Sequence, residues 1–206
     1  SSTGNARFFA SQTHTPNAPA KVSADGLEQR WNETWSQQGT YDFDRNAERH
    51  EVFSIDTPPP TVSGSLHVGH VFSYSPTDTV ARSQRMRGKA VFYPMGWDDN
   101  GLPTERRVQN FFGVRCDPSL PYVENFEPPH VGGEGKSIKA RDQVPVSRRN
   151  FVELCERLTL ADEKQFEDLW RTLGLSVDWS STYQTIGESA RKVAQAAFLR
   201  NLARGE

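Results

Sequence analysis

The sequence predicts an α/β fold, a parallel sheet with flanking helices, and three observations carry that expectation. Residues 52–56 are a short apolar run (Val52, Phe53, Ile55) that enters a proline-rich turn, and a long helical pattern follows. Residues 90–93 form a second apolar run after that helix, and a strand–helix–strand crossover makes its two strands parallel. Polar loops at 57–70 and 94–105 leave both strands from one edge of the sheet, the edge where ligands bind in such folds.

The elements follow in chain order. Residues 1–24 are rich in Ser, Thr, Asn, Ala and Pro, hold no carboxylate, and read as a disordered or tag-like segment. Residues 25–48 carry an N-terminal helix: Leu27, Trp31 and Trp35 recur every fourth residue as a packing stripe, with Asp25 as cap and Gly39 as stop. Residues 49–117 hold the two strands and the loops that leave them. Pro58, Pro59 and Pro60 fix three φ angles and remove three N–H donors, leaving a rigid turn with free carbonyls. Ser65 is the expected cap of the helix through Val71, Tyr74, Val80, Ala81 and Met86, which Gly88 closes. Pro76 inside it predicts a bend, and Arg82, Arg85, Arg87 and Lys89 read as a solvated face. Pro103 suits the first turn of a further helix that Gly113 stops.

Residues 118–146 are rich in Pro, Gly and charge without periodicity, and read as a long loop or hairpin excursion. Gly132-Gly133-Glu134-Gly135-Lys136 inside it lacks the spacing and flanking strand of a P-loop. Residues 147–206 read as helical. Ser147 caps one helix with Phe151, Leu154, Cys155 and Leu158; a second carries Phe166, Leu169, Trp170 and Leu173 up to Gly174. Residues 177–183 link it to a last helix with Ala190, Val193, Ala197, Phe198 and Leu202, and all these stripes read as core packing.

Composition narrows the function. The 206 residues are 35% apolar and 24% charged, enough to bury a core, and no apolar run approaches the roughly 20 residues of a membrane span. The net charge of −2 sets up no global field for nucleic acid. Cys116 and Cys155 are far apart and lack metal-ligand spacing, which suits ordinary thiols in a reducing, cytoplasmic compartment.

The chemistry gathers in Pro58-Pro59-Pro60-Thr61-Val62-Ser63-Gly64-Ser65-Leu66-His67-Val68-Gly69-His70. A helix start presents N–H groups without internal partners and a partial positive charge, a natural seat for phosphate. His67 and His70, three residues apart, share one face there, and Gly69 lets a nucleobase or ribose approach the backbone. In the second loop, Asp98 and Asp99 could hold an ammonium or a Mg²⁺.

That stretch resembles the first signature of class I aminoacyl-tRNA synthetases. Gly96-Trp97-Asp98 with Gly101-Leu102-Pro103 resembles the following loop of their aliphatic amino-acid branch, and residues 93–110, 147–155 and 174–185 are similar to valyl-tRNA synthetases. The likeness covers about residues 25–206. It implies a Rossmann-like sheet, here the first half of the synthetase nucleotide-binding fold, followed by a helical segment leading to an editing insertion that 206 residues cannot hold. It implies a valine–tRNA ligase that activates valine with ATP and Mg²⁺, without a protein-bound metal, and passes the valyl group to tRNA(Val). His67 and His70 would be catalytic; Ser65, Gly69 and both histidines would bind ATP; Pro59, Pro60, Thr61 and Asp98 would hold valine, with residues 61–63 lining its side-chain pocket. The second signature of such enzymes, Lys-Met-Ser-Lys-Ser, has no match in the sequence, so the chain is expected to be an amino-terminal fragment, weakly active at most, or a truncated non-catalytic paralogue. Another His-x-Gly-His nucleotidyltransferase is the remaining alternative; the triple-proline turn and the Gly-Trp-Asp loop speak against it.

Overall fold

Val52, Phe53 and Ser54 (β1, Val52–Ser54) pair in parallel register with Ala90, Val91 and Phe92 (β2, Ala90–Phe92). The computed structural model describes residues 23–63, 66–132 and 138–206; the readings of residues 1–22, of Ser65 as a ligand contact and of residues 133–136 lie outside them. The expected crossover between the strands is α2 (Val68–Met86), which buries Tyr74, Asp78 and Ala81. Its cap is His67 and not Ser65. Val80 and Met86 are 46% and 83% exposed and leave the expected stripe. The helix is continuous across Pro76, whose ring removes one donor, the N–H that would serve the carbonyl of Phe72. Around it the hydroxyls of Ser73, Thr77 and Thr79 donate to carbonyls four residues back, at 3.0, 3.1 and 3.1 Å.

Beyond β2 the chain stays extended through Asp98. On one side the Ile55 N–H donates to the Phe92 carbonyl at 2.9 Å, and Thr61 bridges Asp98 in parallel. On the other, β3 (Gly96–Trp97) pairs in parallel with β6 (Tyr183–Gln184), and the Asp178 N–H donates to the Tyr93 carbonyl at 3.0 Å. Residues 90–98 therefore run between 52–62 and 178–185, and the expected 177–183 link carries a strand residue. A Cβ on Gly96 would collide with the Tyr183 ring, which accounts for glycine there.

A third parallel pair joins β4 (Val114–Cys116) to β5 (Val144–Val146). The stretch read as a loop or hairpin therefore ends in a 3₁₀ turn at Ala140–Asp142 and a parallel strand. Between β3 and β4 lies α3 (Leu102–Phe112), stopped by Gly113 at φ 67° as expected.

The two helices expected after Ser147 are one, α4 (Arg148–Thr172), 25 residues long. No Gly or Pro interrupts it, so nothing breaks the hydrogen-bond ladder. The Ser147 hydroxyl accepts from the Asn150 N–H at 3.1 Å, as a cap should. Its first half packs Phe151, Leu154 and Leu158 with Val108, Phe112 and Val114, and its second half packs Phe166 and Trp170 with Val62, Tyr74, Val91 and Trp97.

The terminal helices depart from expectation. α1 (Leu27–Gln38) buries no residue and starts at Gly26, φ 75°, with no side-chain cap from Asp25. α5 (Glu188–Arg204) buries none either: Val193, Phe198, Leu199 and Leu202 are exposed, so its stripe is not core packing. Among the described residues no helix is long and apolar enough to cross a membrane. Both cysteines are free, and burial pushes the Cys155 thiol up to about 12.

Two of the arginines read as solvated instead fasten α2 to the segment that follows α4. Buried Asp78 accepts from Arg82 Nε at 2.7 Å and from both the N–H and the hydroxyl of Ser176 at 2.6 Å. Arg82 also donates to the Gly174 carbonyl and, at 3.0 Å, to the Tyr41 hydroxyl; Arg85 reaches the Ser176 carbonyl at 2.8 Å. Removing the carboxylate strands several donors at once, so Asp78→Ala is expected to lower the unfolding free energy by about 3 kcal/mol in urea titration. A loss below about 0.5 kcal/mol would show the network to be incidental.

Candidate functional site

The two polar loops expected to converge are joined by backbone hydrogen bonds. The Asp98 N–H donates to the Pro60 carbonyl at 2.9 Å, and the Val62 N–H donates to the Asp98 carbonyl at 3.0 Å. Pro59, Pro60 and Thr61 therefore run beside Asp98. The carbonyls expected to be free are partly engaged by the fold: Pro60 by this bond, and Pro58 by the Tyr74 hydroxyl at 2.7 Å. Thr61 Oγ1 donates to Asp98 Oδ2 and Thr185 Oγ1 to Asp98 Oδ1, each at 3.3 Å. Asp98 is thus a partly buried carboxylate oriented from both sides by threonine hydroxyls.

Val62, within the 61–63 loop expected to line a pocket, is fully buried among Tyr74 and Trp97; it belongs to the core, and only Thr61 and Ser63 keep exposure. Asp99 also departs from expectation. It is 3% exposed, and neither of its oxygens meets an N–H or hydroxyl donor. Its carboxyl contacts that of Glu163 on α4, so it does not face an incoming ammonium or Mg²⁺.

His67 and His70 sit together at the N-terminus of α2, with ring centroids 4.1 Å apart. They form a capping box. His67 Nδ1 accepts from the Gly69 N–H at 3.1 Å, and His70 Nδ1 accepts from the His67 N–H at 3.3 Å. A nitrogen that accepts carries no proton, so each neutral ring bears its proton on Nε2. The caps thereby leave two Nε2–H donors for a ligand. Burial, and then the neighbouring His67, lower the pKa of His70, favouring its neutral form. The fold gives Gly69 its own reason: a Cβ there would stand 2.9 Å from the Cε1 and Nδ1 atoms of His67. His70 packs edge-on against Phe166 of α4, at 5.7 Å, and Phe166 meets Trp97, the neighbour of Asp98, at 6.4 Å.

Sequence reasoning missed Thr185, Glu163, Gln184 and Phe166. Glu163 and Phe166 lie in a region read as packing helices and Gln184 lies just past the 177–183 link, and no local signal separates them from core positions. Thr185 ends the stretch likened to a synthetase, yet only the strand pairing puts its hydroxyl on Asp98.

Comparison with known proteins now bears on this geometry. The family model "tRNA synthetases class I (I, L, M and V)" matches residues 30–119. Valine–tRNA ligases of Bifidobacterium longum (strain DJO10A), Leifsonia xyli subsp. xyli and Thermobifida fusca are 68%, 67% and 66% identical to the chain over 188, 192 and 190 residues. Those alignments cover 91%, 91% and 92% of it. The chain spans only about a fifth of the length of these curated relatives, 21%, 22% and 21%. Among solved structures, the LeuRS of Agrobacterium radiobacter K84, in a ternary complex with tRNA and LeuAMS, superposes with a TM-score of 0.64. That match covers 89% of this chain and 18% of that one at 23% identity, a likeness of fold. The stretch that matches the class I tRNA synthetase family, residues 30–119, contains both loops of the ladder and the paired imidazoles.

Proposed function

We propose that this chain carries the amino-acid-activating half-site of a valine–tRNA ligase. The observation that carries the reading is the backbone ladder between Pro60, Val62 and Asp98, which joins the loop holding an oriented carboxylate to the loop that enters the imidazole-capped helix. In this reading ATP, with its Mg²⁺, lays its phosphates at the N-terminus of α2. The Nε2–H groups of His67 and His70 donate to them, Gly69 lines the approach, Ser65 is assigned to ATP by the family likeness alone, and neutral donors aimed at developing charge stabilise the transition state. The valine ammonium rests on Asp98, with the carbonyls of Pro59 and Pro60 beside it and Thr61 fixing the carboxylate. A carboxylate oxygen of valine attacks the α-phosphorus, the bond to the pyrophosphate oxygen breaks, and valyl-adenylate forms. The valyl group then passes to a hydroxyl at the 3′ end of tRNA(Val) and AMP leaves. No enzyme nucleophile is needed; the work is positioning and electrostatics. The reaction belongs to translation, which sets the cytoplasm as its place.

Titration calorimetry on the chain reads the two halves of the site separately. Asp98→Asn is expected to weaken valine binding at least about tenfold while ATP binding holds, and His67→Ala or His70→Ala to weaken ATP while valine binding holds. Valine-dependent exchange of pyrophosphate into ATP, by a polypeptide of the relatives' length that includes this sequence, reads the reaction. Exchange with isoleucine and none with valine would overturn the assignment.

The imidazole caps make a further expectation. Long-range ¹H–¹⁵N spectra should show both rings as Nε2–H tautomers. His70 should titrate below its ordinary value of 6.5. Because its folded pKa is lowered, the stability it contributes is present above 6.5 and is lost as pH falls from there through the folded value. An Nδ1–H tautomer in either ring would remove the donor geometry.

A further inference from the structure

Asp99 is nearly completely buried, and neither carboxyl oxygen meets an N–H or a hydroxyl. The group set against it is the carboxyl of Glu163 on α4. Two carboxylates are both acceptors and cannot bond to each other unless a proton lies between them. Glu163 is fixed from its other side by Gln184, whose Nε2 donates to Oε1 at 2.6 Å. The surroundings bind this contact to Asp98. The Asp99 N–H and the Asn100 side chain both donate to Thr185 Oγ1 at 3.2 Å, and that hydroxyl donates to Asp98. Gln184 and Thr185 are neighbours, so one short segment holds Glu163 with one residue and Asp98 with the next.

We infer that Asp99 and Glu163 share one proton and act as a positioning pair, clasping α4 to the loop that aims Asp98. The inference of a role in amine binding rests on the reading of Asp98 proposed above; the shared proton does not. The charged and titratable groups facing the pair are Asp98 on its own segment and Glu167 on α4. From α3, Arg107 reaches Asp162, next to Glu163, at 2.5 Å; on α2, His70 packs against Phe166, three residues along α4. The acidic neighbours all favour keeping the proton. Burial first, and Asp99 second, push Glu163 up to about 7, and burial raises Asp99 as well. A carboxyl with a raised folded value contributes stability that is present below its ordinary value and lost as pH rises through about 7. At that point the clasp becomes two facing charges and opens.

Glu163→Gln is the decisive variant, because its amide nitrogen supplies a permanent donor to Asp99 while its oxygen still accepts from Gln184. Carboxyl ¹³C spectra of the chain, from about pH 5 to about pH 9, should show a side-chain carboxyl titrating near 7, with the amide signals of Thr61, Asp98 and Thr185 moving at the same midpoint. In Glu163→Gln that titration should vanish, the three amides should hold still, and the decline of the melting temperature from the ordinary carboxyl range up to about pH 7 should flatten. Glu163→Ala should lower the melting temperature and shift those amides at every pH; if it fails to fold, Asp99→Asn, which also supplies a donor, must behave as Glu163→Gln does. Valine affinity by calorimetry should fall at least about threefold across that range in the wild type and stay level in Glu163→Gln. A carboxyl still titrating near 7 in Glu163→Gln, or amides of Asp98 and Thr185 that ignore the wild-type midpoint, would overturn the pair. Absence of valine binding in the wild type, with the spectral results intact, would overturn the proposed function and leave the shared proton standing.

Discussion

The structure of the site depends on a pair of backbone hydrogen bonds. Once the Asp98 N–H has met the Pro60 carbonyl and the Val62 N–H the Asp98 carbonyl, the two loops that leave β1 and β2 can no longer move independently. The prolines give this contact its rigidity. They fix φ before pairing occurs, so little entropy is lost when the ladder closes. They also leave no N–H in the turn to compete for the carbonyls, and Pro58 and Pro60 use theirs for Tyr74 and Asp98. The same residues that make the turn stiff tie it to the helix it precedes and to the strand beside it.

The imidazoles act within the helix as well as toward solvent. A helix start normally relies on a Ser, Thr, Asp or Asn oxygen; here two ring nitrogens take that part. Using Nδ1 as acceptor has a chemical consequence that an oxygen cap lacks, since it selects the tautomer at the far side of the ring. Burial of His70 against Phe166 favours the neutral state that the cap requires. Cap, tautomer and ring packing therefore support one another, and Gly69 is small because the His67 ring folds back over it.

What could be read from the sequence follows the order of local signals along the chain. The crossover of β1, α2 and β2 was legible because an apolar run, a proline turn and a long helical period stand in order, and the convergence of the two loops follows from parallel strands. The remaining strands are as short as β1 and β2, two or three residues each, and no such ordered set of turn and helical period stands beside them; β6 exists because Tyr183 and Gln184 have β3 to pair with. The same blindness to partners explains Arg82 and Arg85, which look like a solvated face until Asp78 and Ser176 are seen beside them. α4 was divided at a gap in its stripe between Leu158 and Phe166, because the helix changes from one core to the other there. Residue type makes Ser65 the expected cap, and nothing in one dimension says that histidine will take its place.

Asp98 and Asp99 carry the last step. Successive residues of an extended chain point to opposite faces, so two identical side chains enter opposite environments. Asp98 keeps solvent access and two threonine donors, which orient its oxygens to receive a cation. Asp99 turns toward α4, meets no donor and faces another acid, conditions that favour holding a proton. A charge buried directly behind Asp98 would compete for the same ammonium and repel the carboxylate that binds it; a proton held there removes that conflict while Thr185 keeps the two aspartates mechanically joined. The doubled aspartate thus reads as two functions separated by one residue of pleat, one electrostatic and outward, one structural and inward.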